Sequence, residues 1–216
     1  MSSRRDIVDG SEAESQSFGL VYTRKCGWID LGHANPRGAG ELWRNICAAQ
    51  LSSHPSGYST ISYSQRMRGF GTSAETKQVF EIKDSLSLPQ RKSVALAIFL
   101  EISNNFEAMQ SNLFYRLFTN SGYSAEDIVS DIIGFYRVVE PGRRYIERCE
   151  PVSLEEARMI WDVFGPVGNN KNYTGGPFLY SLDKSLKRGG AACGKMPYFL
   201  ETIRPAQKGV LFREAK

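Results

Sequence analysis

Between Phe18 and Leu31 the chain reads FGLVYTRKCGWIDL, two short apolar stretches broken at Lys25-Cys26 and closed by Gly32. That pattern predicts two short strands joined by a turn. GAGELWRNICAAQLSS then sets Leu42, Ile46 and Ala49 on one stripe, predicting a helix that the turn residues His54-Pro55-Ser56-Gly57 stop. Tyr58, Ile61 and Tyr63 alternate imperfectly in GYSTISYSQRM, and KQVFEIKD follows as a partner strand across a glycine-containing loop. Pro89 opens a long helix running to about Phe118, because proline is tolerated in the first turn. Ser124 with Asp127, and Ser153 with Glu156, have capping-box spacing and predict two further helices. Ile128, Val129, Ile132, Ile133 and Tyr136 should face the core from the first, and Ile160, Trp161 and Phe164 from the second. Beyond Gly165 the chain is rich in Gly, Asn and Pro, with short pieces such as PFLYSL and PYFLETI. The expectation is an α+β protein. Residues 1–17, charged and without an apolar run, read as a flexible N-terminal tail, and residues 18–216 as a single domain with a small antiparallel sheet packed with several helices.

Composition narrows the classes of function. Hydrophobic residues make up 41 % and charged residues 23 %, which is enough apolar material for a buried core. The formal charge of +4 is not gathered on one element. Arg66/Arg68 and Lys184/Lys187/Arg188 are short runs with acidic neighbours, so nucleic acid is not an expected partner. The opening MSSRRDIVDGSEAESQS has charges but no apolar run behind them, so no secretory signal is expected and synthesis in the cytoplasm is. The longest apolar run, Val94 to Leu100, is too short to span a bilayer, so membrane insertion is not expected. The four cysteines form no C-x-x-C pair and the chain has only two histidines, so neither a metal nor a cofactor is expected.

Three places could carry chemistry. The first is Asp30-x-x-His33, at the end of the second strand. Its histidine is either a turn or core residue or the proton-transfer group of an active site, with the aspartate orienting it. The second is SNNFEAMQSN on the long helix, where Ser103, Glu107, Gln110 and Ser111 share a face. Asn and Ser each cost about half a kcal/mol in a helix relative to the best formers. This stretch is therefore either a polar cluster held against something or an irregular exposed turn. The third is NSGYSAEDIVSD. Ser124, with Glu126 and Asp127 behind it, is either a helix cap or a nucleophile activated at a helix N-terminus. Cys26 and Cys193 are alternative nucleophiles, and Cys47 reads as packing.

GLVYTRKCGWIDLGHA, EISNNFEAMQS and SGYSAEDIVSDIIG, in that order, resemble blocks of a bacterial domain-of-unknown-function family that occurs in lipoproteins. That family looks related to TseH-like type VI secretion effectors, regarded as cell-wall hydrolases with an NlpC-type, papain-like fold. The resemblance implies functional positions at Asp30, His33, Glu107, Ser124, Glu126 and Asp127. It also implies a permuted papain-like order, with the histidine strand ahead of the nucleophile helix. The chain departs from the pattern at Arg24, where the family has a cysteine, and at Cys26, where it has a glycine, which speaks against Cys26 as the nucleophile.

Together these readings predict a toxin-like hydrolase that cleaves an amide or peptide bond in peptidoglycan. His33 would be the general base, oriented by Asp30 or Glu107, and Ser124 at its helix N-terminus the nucleophile, with Asp127 beside it and a cysteine as fallback. Attack by water activated by His33 and Glu107, directly or through a metal, stays open. Such an effector would be exported by secretion machinery into the periplasm of a target cell and held in check by a cognate immunity protein. The alternative is a non-enzymatic binding or adaptor protein that presents the Asn-rich helix face around Glu107.

Overall fold

The computed structural model describes residues 2–51, 54–69, 72–113, 123–124, 127–167, 171–172, 176–180 and 191–215. Only the backbone is described at 65–69, 72–76, 103–113, 123–124, 171–172 and 191–193. The protein is of the mixed α+β class, with helices and small antiparallel sheets. It divides into two compact units, one of Met1–Pro36 with Ser121–Glu201 and the other of Arg37–Asn120 with Thr202–Lys216. No helix among the described residues is long and apolar enough to cross a membrane.

The first unit begins with the predicted hairpin. Strands β1 (Leu20–Thr23) and β2 (Gly27–Asp30) pair antiparallel, with Leu20 opposite Asp30 and Thr23 opposite Gly27. Gly27 has φ +66°, and a Cβ there would stand 2.0 Å from the Phe178 carbonyl oxygen, so both turn geometry and close approach require glycine. Tyr22 and Trp28 stack edge-on at 5.2 Å, and Trp28 meets Trp161 in the same way at 5.8 Å. The Tyr22 hydroxyl donates to the Tyr180 carbonyl at 3.0 Å and accepts from the Tyr180 amide at 2.7 Å. A buried phenol thus has partners for both its donor and its acceptor.

The helices of this unit are α3 (Asp127–Val139), α4 (Tyr145–Arg148) and α5 (Leu154–Phe164). Helix α5 starts where its capping box predicts, with the Ser153 side chain accepting from the Glu156 amide at 3.2 Å. Ser124 belongs to strand β5 (Tyr123–Ser124), paired with β6 (Lys171–Asn172), and Asp127 is the first helical residue. Ser124 pairs with Lys171 through its backbone, and residues 125–126, on which its capping of α3 depends, lie outside the described residues. Of the expected core residues on α3, Val129, Ile133 and Tyr136 are buried, as is Phe135, while Ile128 and Ile132 are half-buried.

The N-terminal segment departs from the flexible tail expected of it. Ile7 and Ala13 are buried, and Ile7 bridges Leu20. The Gly10 amide donates to the Val152 carbonyl at 3.1 Å. The acids that made the segment look solvated serve helix starts elsewhere. Asp9 accepts from the Leu154 amide at 2.8 Å, and Glu14 accepts from the Ile146 and Glu147 amides at 2.9 and 3.1 Å. A carboxylate on the free N–H groups of a helix stabilises it by about 1 kcal/mol, so this acidic stretch docks.

The second unit holds α1 (Arg37–Ala49), β3 (Tyr58–Gly69), β4 (Thr72–Lys83), α2 (Leu88–Leu113) and β7 (Phe212–Glu214). The sheet order is β3-β4-β7, all antiparallel. Ile61, Tyr63, Phe80, Ile82 and Phe212 are buried, while Thr60 and Ser62, which alternate with the β3 pair, are exposed, the period-2 pattern of a sheet with one covered face. Leu42 and Ile46 of α1 and Val94, Ile98 and Ile102 of α2 are buried with them. Gln90 accepts from both the Ser87 amide and its hydroxyl at 2.9 Å, which starts α2 one residue ahead of the expected Pro89.

Candidate functional site

Strand β2 ends at Asp30 and runs into a turn held by its own backbone, with the Ala34 amide donating to the Asp30 carbonyl at 2.8 Å. The Asp30 carboxylate accepts from the Gly32 amide at 2.7 Å and the His33 amide at 3.3 Å. This Asx-type turn gives aspartate a conformational job at the start of D-x-x-H. The bonds of Asp30 thus set the backbone under His33. The ring itself is held by Asp131 of α3, whose Oδ1 lies 3.2 Å from His33 Nδ1.

Helix α3 presents a face built for this turn. Asp127, Ser130, Asp131, Gly134 and Arg137 recur at three- and four-residue spacing. Ser130, fully buried, accepts the Asp30 amide at 2.9 Å. At Gly134 a Cβ would stand 2.7 Å from the His33 carbonyl oxygen, so the absence of a side chain lets the turn rest on the helix backbone. Arg137 donates to the Ala34 carbonyl and to the Glu14 carbonyl, each at 3.0 Å. A carboxylate, a hydroxyl, a missing side chain and a guanidinium from one helix thus hold residues 30–35.

The electrostatics follow from that placement. The His33 side chain is 44 % exposed and that of Asp131 21 %. The hydrogen bond to Asp131 raises the imidazole pKa, partial burial opposes it, and the charges of Asp131, Asp127 and Asp30 raise it further, so it is pushed up to about 10. At neutral pH His33 is therefore an imidazolium held among three aspartates. A ring in that form has a proton to give, whereas the sequence expectation has His33 accept one as a general base.

The other candidates fall as follows. Asp127 opens α3, one helical turn before Asp131, and acts on His33 through its charge. Glu107 lies in α2, in the second unit, and its side chain is outside the described residues, as are those of Ser103, Gln110 and Ser111. The Ser124 and Cys193 side chains are likewise outside them, and so is Glu126 altogether. Cys26 is 1 % exposed, with its sulfur 2.9 Å from that of Cys149, so no substrate reaches it as a nucleophile. Cys47 is half-buried on α1.

Asp131, Ser130, Gly134 and Arg137 escaped the sequence reading. A glycine inside an otherwise apolar helix, costing about 1 kcal/mol against alanine, was the available signal that something packs there. Among the described residues no group of three or more His, Cys, Asp or Glu is arranged to hold a metal ion. No protein-family model matches the chain, and neither a curated protein nor a solved structure matches it.

Proposed function

We propose that the protein is a hydrolase acting on an amide or peptide bond of peptidoglycan, with His33 as its proton-transfer residue and Asp131 as the group that positions it. The observation that carries this reading is the His33–Asp131 pair: a part-exposed imidazolium on a turn immobilised from four points of one helix. A proton donor with carboxylates beside it is the pairing of groups that acid–base hydrolysis uses. His33 gives its proton to the nitrogen that leaves as the C–N bond breaks. The attacking group, water or Ser124, loses its proton to a carboxylate. The sequence blocks around His33, Glu107 and Ser124 support the cell-wall substrate and a permuted papain-like fold. They also support export to the periplasm of a target cell, with secretion machinery and an immunity protein as partners.

The test is digestion of purified sacculi by the wild-type chain and by His33→Ala, Ser124→Ala and Ser124→Cys, with released fragments identified by mass spectrometry. The wild type should release fragments bearing new amine and carboxyl ends, and His33→Ala should lose at least ~100-fold in rate while keeping its fold. Retained activity in Ser124→Ala assigns the attack to water. Intact sacculi with the wild type, or full activity in folded His33→Ala, would overturn the reading and favour the adaptor alternative.

A further inference from the structure

Two buried cysteines remain that hydrolysis does not use. Cys26 sits in the β1–β2 turn and Cys149 follows α4, 123 positions later in the chain. Their sulfurs are 2.9 Å apart, and the two residues are 1 % and 0 % exposed. A covalent disulfide measures ~2.05 Å, so the pair needs about 1 Å of closure to be bonded.

The backbone holds the two cysteines opposite one another from both sides. The Arg24 amide donates to the Glu150 carbonyl at 2.9 Å, and the Lys25 amide to the Cys149 carbonyl at 3.0 Å. Thr23 bridges Pro151 antiparallel, and the Val152 amide donates to the Tyr22 carbonyl at 3.0 Å. Residues 149–152 are therefore bonded along the end of β1 and the turn that follows it, with Pro151 bridging Thr23 and the two thiols facing one another. On the other side, the Cys26 amide donates to the Thr23 hydroxyl at 3.1 Å, which itself donates to the Gly27 carbonyl at 2.9 Å. Lys25 closes the surface above with an ion pair to Glu150 at 2.7 Å.

We propose that Cys26 and Cys149 are the partners of an intramolecular disulfide, formed when the chain folds in an oxidising compartment. The oxidant is an external disulfide. One cysteine thiolate attacks it, forming a mixed disulfide and expelling one thiolate. The second cysteine then attacks the protein sulfur of that mixed disulfide, forming the Cys26–Cys149 bond and expelling the other half of the oxidant as a second thiolate. Two electrons and two protons pass from the cysteines to the oxidant. In the folded, reduced protein the Cys26 contact and burial hold the Cys149 thiol well above its ordinary pKa, so exchange takes place before the site closes. The bond ties the hairpin that ends in Asp30 to the segment between α4 and α5.

The experiment refolds the reduced wild-type chain in a mixture of oxidised and reduced glutathione. Free thiols are then alkylated in denaturant and the peptides mapped by mass spectrometry. A cross-linked peptide containing Cys26 and Cys149, lighter by two hydrogens, is expected, with alkylation confined to Cys47 and Cys193. The oxidised protein should melt roughly 5–15 °C above the reduced one. That difference should vanish in Cys149→Ala. Alkylation of both Cys26 and Cys149 after oxidative refolding, stable glutathione adducts in place of a bridge, or a bridge to Cys47 or Cys193 would overturn the proposal. Should refolding fail, the same map on chain exported to a bacterial periplasm reads the same pair with the same outcomes.

Discussion

The chain's two histidines both lie in turns, and the turns differ in where their partners come from. His54 bonds its near neighbour: its Nδ1 lies 2.9 Å from the Ser56 hydroxyl, two residues on, and its amide reaches Asp84 at 2.8 Å. His33 bonds Asp131, 98 positions away, and feels Asp127 and Asp30 as well. A local hydroxyl shapes a turn, whereas a helix carrying two carboxylates and a glycine turns a similar loop into a charged, immobilised site. One residue type thus bonds within its own turn in one unit and to a helix carboxylate in the other.

The sharpest way to break this contrast is activity. In sacculus digestion His33→Ala should lose at least ~100-fold, while His54→Ala should stay within about twofold of wild type, since surface substitutions outside such networks move stability by about ±0.5 kcal/mol. Equal losses would erase the distinction. Next is Gly134→Ala, which pits two effects against each other. Alanine gains about 1 kcal/mol of helix propensity, but overpacking costs typically 1–3 kcal/mol. The clash at 2.7 Å is with backbone, which has little room to move, so overpacking should win. Urea denaturation should show net destabilisation, with perturbed amide resonances at residues 32–35.

Asp131→Asn tests the electrostatics alone. Removing the hydrogen-bonded carboxylate should bring the His33 pKa down from about 10 toward 6.5, read by NMR titration of the imidazole. An unchanged titration would mean that Asp131 does not hold the charge. The smallest effect is on stability against pH. The folded pKa of His33 lies above the unfolded value, so its contribution is complete below about pH 6.5 and is lost as pH rises through about 10. With the side chain 44 % exposed, solvent screening keeps that loss to about 1 kcal/mol or less. Thermal midpoints from pH 6 to 10.5 should fall more for the wild type than for His33→Gln.

How much of this was legible depended on how local each cause is. The β1–β2 hairpin, the long β3–β4 pair and the Ser153 cap of α5 were readable because alternation and capping-box spacing act within a few residues. For Ser124 the same rule could not foresee its backbone pairing with Lys171, which comes from far along the chain. The N-terminal segment misled for a related reason. Its polar composition looks like disorder in isolation, yet Asp9 and Glu14 cap helices more than a hundred residues away.

The sequence by itself determined the α+β class, the elements whose hydrophobic period is clean, and the prominence of His33 at a strand end. Tertiary structure alone decided that the His33 pKa is pushed up by Asp131, that Asp131 and not Asp30 bonds its ring, and that Cys26 faces Cys149. The physical reason is range. Secondary structure follows from contacts three or four residues apart, whereas a pKa and a thiol's neighbour are set by whatever the fold brings within a few ångströms, from any distance along the chain.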